Sequence, residues 1–208
     1  MRILMVAPPG AGKGTQADRL AEHFGIEHLA SGDMLRDELA AHSELGERVR
    51  PYVERGDLVP DDLVMRLVLD RLTAAAERGG YVLDGFPRTV KQAETAYEEA
   101  KRHTAERVDP RLQAVVHLAV GRDELRRRMQ ARAEDEGRSD DTAAVIEHRL
   151  DVYEAMTEPL LTFYRDRNLL ISVDGERSID EISADLFHEL DHLGAEDAPP
   201  ASAYQGPA

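Results

Sequence analysis

The sequence predicts an α/β fold, a parallel five-stranded sheet with helices on both faces. Short apolar runs alternate with longer segments of helical periodicity along the chain, which is the pattern of βαβ units. Runs such as Ile3-Leu4-Met5-Val6 are apolar without alternation, as expected for strands covered on both faces. The first run leads directly into a glycine-rich loop and then a helix, and in such sheets ligands sit at the carboxyl ends of the strands.

Residues 2–6 are the first expected strand. A helix over 14–24 follows, with Ala17, Leu20, Ala21 and Phe24 at helical spacing, and Gly25 ends it. Residues 26–29 read as a short second strand. Ser31-Gly32-Asp33 is expected to cap a helix reaching about residue 41. A further helix covers 44–55 and closes at Gly56. Pro60-Asp61-Asp62 opens the next, with Leu63, Val64, Leu67, Val68, Arg71 and Leu72 as its stripe and Gly79-Gly80 as its stop. Residues 81–84 are the third strand and 89–103 a helix. A buried fourth strand at 113–118 precedes an arginine-rich helix over 122–134 and a polar connection at 134–138. Asp140 and Asp141 are expected to start a long helix to about residue 167 and to orient arginines before it. Residues 169–173 form the fifth strand and 178–192 the last helix. The tail 194–208 carries Pro199-Pro200 and Gly206-Pro207 and is expected to be disordered, which leaves 1–193 as one core.

Composition bounds the function. The chain has 208 residues, 42 % of them hydrophobic, enough for one core. No apolar run is long enough for a membrane span, and Arg2 is followed by only four apolar residues, so neither a membrane partner nor a signal peptide is expected. Cysteine is absent, which removes disulfides and thiolate metal sites and suits a cytoplasmic location. The net charge of −15, from 41 acids and 26 bases, argues against nucleic acid as a partner, because sequence-independent binding needs a basic face. An anionic ligand must therefore enter a local basic pocket.

The loop Ala7-Pro8-Pro9-Gly10-Ala11-Gly12-Lys13-Gly14-Thr15 offers that pocket. Glycines let backbone N–H groups approach an anion closely, and the following helix turns its positive end toward it. Lys13 adds a full charge, and Thr15 places a hydroxyl for a phosphate or its Mg²⁺. The strict phosphate-loop pattern is not met: Ala7 stands at its first position, and the hydroxyl comes one residue late, after Gly14. Pro8 biases Ala7 toward extended angles with negative φ, so little strain is expected there. Farther along, Asp84 ends a strand at the ligand edge, where a carboxylate can hold the water shell of Mg²⁺. Arg88 and Arg36 are forks suited to phosphate, and Gly56-Asp57-Leu58-Val59-Pro60-Asp61 is a turn whose backbone can line a flat base. Arg128 and Arg132 are one helical turn apart and share a face. Arg126 and Arg127 read as surface residues, as do His188 and His192.

Five boxes together resemble the adenylate kinase family, in its order and spacing over about residues 1–192. They are the phosphate loop, Ser31-Gly32-Asp33-Met34-Leu35-Arg36, the turn 56–61, Asp84-Gly85-Phe86-Pro87-Arg88-Thr89 with Gln92, and Gly137-Arg138-Ser139-Asp140-Asp141. The resemblance implies a three-layer P-loop NTPase fold with an AMP-binding helical insertion at 31–60 and a lid region at 122–149. It implies reversible phosphoryl transfer from Mg-ATP to AMP, with ATP as co-substrate and Mg²⁺ as cofactor. Gly10, Ala11, Gly12, Lys13, Gly14 and Thr15 would hold the ATP phosphates, with Arg128, Arg132 and the Arg177 backbone on the ATP side. Ser31, Arg36, Leu58, Val59, Gly85, Arg88 and Gln92 would hold AMP, Gln92 reading the adenine edge. Arg138 and Arg149 would close over the transferring group and reach AMP. Lys13, Arg88, Arg132, Arg138 and Arg149 form the catalytic set, and Asp84, through water, the metal site, with Thr15 as a second candidate. The short connection between Arg132 and Arg138 resembles the branch with a short lid and no structural zinc. The expected particle is a monomer acting on small nucleotides. The alternatives are a kinase for UMP, CMP or GMP and, because of Ala7, a nucleotide-binding regulator without turnover.

Overall fold

The computed structural model describes residues 1–104, 111–136 and 142–193. Its five strands are β1 (Arg2–Met5), β2 (Glu27–Ala30), β3 (Tyr81–Asp84), β4 (Ala114–Ala119) and β5 (Leu170–Asp174). All pair in parallel, in the order β2-β3-β1-β4-β5, so the expected sheet is found. Parallel neighbours need crossover connections, and helices supply them: α1 (Lys13–Phe24), α2 (Ser31–Ala40), α3 (Glu44–Arg55), α4 (Asp61–Glu77), α5 (Val90–Thr104), α6 (Arg122–Glu136), α7 (Ala143–Val152), α8 (Pro159–Arg165) and α9 (Ile179–Asp191).

Alternation along the strands divides the core into two layers. Leu4, Val6, Leu29, Leu83 and Val115 face α2–α5 and α8, where Val49, Leu63, Val68 and Leu160 pack. Ile3, Met5, Val82, Val116 and Leu118 face α1, α6, α7 and α9, where Leu20, Met129, Leu150 and Leu186 pack. Both faces are thus covered, which explains the unbroken apolar runs.

The registers position the site. Met5 pairs with Asp84 across β1–β3, and Ala30 pairs with Asp84 across β2–β3. Asp84, the start of the loop after β1 and Ser31 therefore lie at one edge of the sheet. Gly25 and Gly56 end α1 and α3 in the left-handed region, as the sequence indicates.

Three local expectations are corrected. Ser31 does not cap α2; it is the first helical residue, after Ala30, and its hydroxyl makes no capping bond. Arg71 does not belong to the buried stripe of α4; it is exposed, and Ala75 continues the stripe. The long helix after the polar connection is not continuous. Thr142 caps α7 by accepting from Val145 N–H, a π-helical turn spans Tyr153–Thr157, and Pro159 opens α8. Asp140 and Asp141, together with the tail 194–208, lie outside the described residues.

Candidate active site

The carboxyl ends of β1, β2 and β3 open into a cleft of about 470 Å³. The loop after β1 forms its floor. Gly10 and Gly12 hold φ of 83° and 90°, and Gly12 caps α1, whose N-terminus therefore faces the cleft. A Cβ at Gly10 would sit 2.8 Å from Met129 Cγ, so α6 packs on the loop where only glycine fits. Gly10, Gly12, Lys13, Gly14 and Thr15 line the cleft. Ala11 does not; its methyl is buried in the core beneath.

Lys13 Nζ donates to the carbonyls of Ala7 and Pro8 at 2.9 and 3.0 Å. Burial lowers its pKa, and the nearby Asp84 carboxylate opposes that shift. Arg88 is treated alike: burial lowers its pKa, Asp84 raises it, and Arg149 and Arg36 lower it further. Lys13 and Arg88 thus share the Asp84 carboxylate at the end of β3 while further arginines repel them, so the site favours added negative charge. Asp84 Oδ1 is buried with no hydrogen-bond partner. One orphaned carboxylate oxygen beside the phosphate loop suits Mg²⁺, which takes few protein ligands and keeps its waters. Among the described residues no group of three or more His, Cys, Asp or Glu side chains is placed to hold a metal ion.

Arg36, Leu58, Val59, Gly85 and Arg88 line the cleft, together with Arg128, Arg132 and Arg149. Arg88 Nε donates to the Gly85 carbonyl at 2.6 Å, which fixes the guanidinium. Arg36 pairs with Asp33. Arg128 is aimed by Glu124 at 2.6 Å and by the Gly175 carbonyl at 3.0 Å, which ties α6 to the loop after β5.

Besides Ala11, three expected site residues stand back from the cleft surface. Ser31 is 1 % exposed and its Oγ has no hydrogen-bond partner; a Cβ at Gly85 would come within 2.5 Å of it, so a side chain at position 85 would crowd the hydroxyl. Gln92 is 3 % exposed; its Nε2 donates to Asp61 Oδ1 at 2.6 Å and its Oε1 accepts from Arg88 N–H at 2.7 Å. The Arg177 side chain turns away to Asp185 on α9. Arg138 lies outside the described residues.

Some contributors were not found in the sequence. His28 lines the cleft from β2, its Nδ1 2.7 Å from Asp18; the period-two alternation around buried Leu29 could have revealed it. Tyr153 and Thr157 line it from the π turn, which leaves no periodic signature. Arg126, read as mostly surface, is 36 % exposed at the side chain and also bridges α6 to Glu147 on α7.

Such a cleft can hold two phosphate chains end to end and neutralise charge moving between them. Fold and cleft together define a nucleotide phosphotransferase of the P-loop class. A model of the adenylate kinase family matches residues 5–169. An adenylate kinase of Thermus thermophilus is 48 % identical over 182 residues, covering 88 % of this chain and 92 % of that protein. Adenylate kinases of Nitrobacter hamburgensis (40 % over 204 residues, 95 % and 96 % covered) and Nocardioides sp. (42 % over 191 residues, 92 % and 97 % covered) align over nearly their whole length. The chain belongs to the adenylate kinase family.

Proposed function

We propose that the chain transfers the γ-phosphoryl group of ATP to AMP, reversibly giving two ADP. The observation that carries this reading is a single cleft lined together by the phosphate loop, the Leu58–Val59 turn and Arg36, Arg88, Arg128, Arg132 and Arg149. ATP binds with its phosphates on Gly10–Thr15 and its adenine against Arg128 and the Arg177 backbone. AMP binds with its phosphate on Arg36 and Arg88 and its base against Leu58 and Val59. Gln92 acts by holding Asp61 and the Arg88 backbone, and Ser31 offers its unpaired hydroxyl beside Gly85.

An AMP phosphate oxygen attacks the γ-phosphorus in line, and the bridging oxygen of ADP leaves. No covalent protein intermediate is needed. Lys13, Arg88, Arg132 and Arg149 stabilise the charge spread over the transferring group. Arg138 joins them by family likeness alone. Bound Mg²⁺, held through water by Asp84 and directly or through water by Thr15, would neutralise charge on the ATP phosphates. The region 122–149 closes as a lid over the segment 31–60, which keeps water from the γ-phosphate.

The chain is read as a cytoplasmic monomer working on free nucleotides. The charge of −15 supports the exclusion of nucleic acid, and among the described residues no helix is long and apolar enough to cross a membrane. A coupled assay of ADP formation with AMP, UMP, CMP and GMP as acceptors tests the reading. AMP is expected to be the best acceptor by at least about tenfold, the discrimination that roughly one good hydrogen bond provides. Preference for another monophosphate would reassign the acceptor. No turnover with any of them would favour the regulator.

A further inference from the structure

The turn after α3 and helix α7, which both line the cleft, lie against each other beside it. Gly56 ends α3 with φ of 77° and leads into Asp57, Leu58 and Val59. Helix α7 lies directly on this turn. A Cβ at Gly56 would meet Arg149 Cγ at 2.9 Å and Val145 Cγ1 at 3.2 Å. Next to that contact, His148 Nε2 lies 2.7 Å from Asp57 Oδ1. The other carboxylate oxygen, Oδ2, accepts from Arg55 Nε at 2.7 Å. Hydrogen bonds from Arg55 and then His148 hold the Asp57 carboxyl below its usual range, so Asp57 is an ionised acceptor and His148 Nε2 is the donor.

We propose that His148 and Asp57 are a pair of positioning residues for the transfer reaction, joining the turn that receives AMP to the helix that carries Arg149. The proposal rests on the reading of the cleft given above. His148 and Arg149 are consecutive, so their side chains leave the helix roughly 100° apart. Fixing His148 on Asp57 sets the rotation of α7 about its axis and keeps Arg149 over Gly56. A shift of the Leu58–Val59 turn then moves Arg149 with it. His148 is not among the residues lining the cleft; Asp57 is, with its carboxylate turned to His148 and Arg55. His148 and Asp57 are 45 % and 33 % exposed at the side chain, and pairs so exposed add little to global stability. Their effect therefore falls on geometry, in the AMP half of the cleft.

The test uses full-length protein with His148→Ala, Asp57→Ala, the double variant and His148→Gln, assayed for ADP formation with each nucleotide varied in turn. Each alanine variant is expected to raise KM for AMP about threefold to tenfold, the range of one hydrogen bond, with KM for ATP and the melting temperature nearly unchanged. The double variant should be no worse than the poorer single variant, because both remove one interaction. His148→Gln, which keeps an amide donor, should recover most of the loss. The proposal is overturned if KM for AMP stays at the wild-type value, if both KM values rise together with a fall in melting temperature, or if the two single effects multiply in the double variant. Wild-type protein that forms no ADP would overturn the kinase reading and this proposal with it; an active wild type with unaffected variants overturns this proposal alone.

Discussion

Lys13 supplies the full positive charge that the backbone N–H groups of its loop lack, and its ammonium is held over the loop by the Ala7 and Pro8 carbonyls. Lys13→Met should lower turnover by about 10²-fold or more, the usual loss when one preorganised charge stabiliser is removed, while the melting temperature changes little. Turnover within a few-fold of wild type would remove Lys13 from the mechanism. Ala7 is the departure from the loop pattern. Among the described residues, positive φ outside glycine occurs at His42 and Asn168, so Ala7 does not need the freedom of glycine. Its methyl is buried in the core layer with Met5 and Ala11. Ala7→Gly should therefore change turnover only a few-fold. A jump from no activity to full activity would show that the alanine disables the loop. Much of this was legible in the sequence: glycines, one lysine and Pro8 dictate the loop, and Pro8 fixed the sign of φ at Ala7. What was not legible is the partner of each side chain. Gln92 on a helix gives no hint of Asp61, thirty-one residues away, because that bond is made by the packing of α4 on α5.

Helices α6 and α7 are joined by charge as well as by apolar contact. Arg122 on α6 reaches Asp151 at 2.6 Å, Glu154 at 2.7 Å and Glu147 at 3.0 Å, and Arg126 meets Glu147 and Asp123. Hydrogen bonds from Arg126 and then Arg122 pull the Glu147 carboxyl down to about 2. The cluster is partly open to solvent, so each pair is weak and screened by salt. Glu147→Gln should lower the melting temperature slightly in dilute buffer, and the difference should vanish in about 1 M salt. An equal loss at both ionic strengths would mean that Glu147 acts by packing. The sequence showed an arginine-rich helix but not its purpose, since a helix rich in both signs reads as a solvated face until its neighbour is known. The break at 153–157 was hidden for a related reason. The residues flanking the π turn keep α-helical angles, and Pro159 at the first position of α8 is compatible with a fresh start as well as with a kink. The strands were read to within a residue or so at each end because β1, β3 and β4 are mostly apolar runs bounded by glycine, proline or polar residues.

Across the whole molecule, the order β2-β3-β1-β4-β5 puts β1 at the centre and brings Asp84, Ser31 and the phosphate loop to one edge. Arginines from α2, the loop after β3, α6 and α7 converge there inside a chain of net charge −15. The central claim is that one cleft holds both nucleotides end to end. A thermal-shift titration with a two-headed ligand, two adenosines joined by a polyphosphate bridge, tests it most directly. Such a ligand fills both halves at the entropic cost of one molecule, and a ligand that binds only the folded state raises the melting temperature with the logarithm of its concentration over its Kd. At equal concentration it should stabilise the protein more than ATP or AMP does. Stabilisation no greater than that given by ATP would contradict the shared cleft.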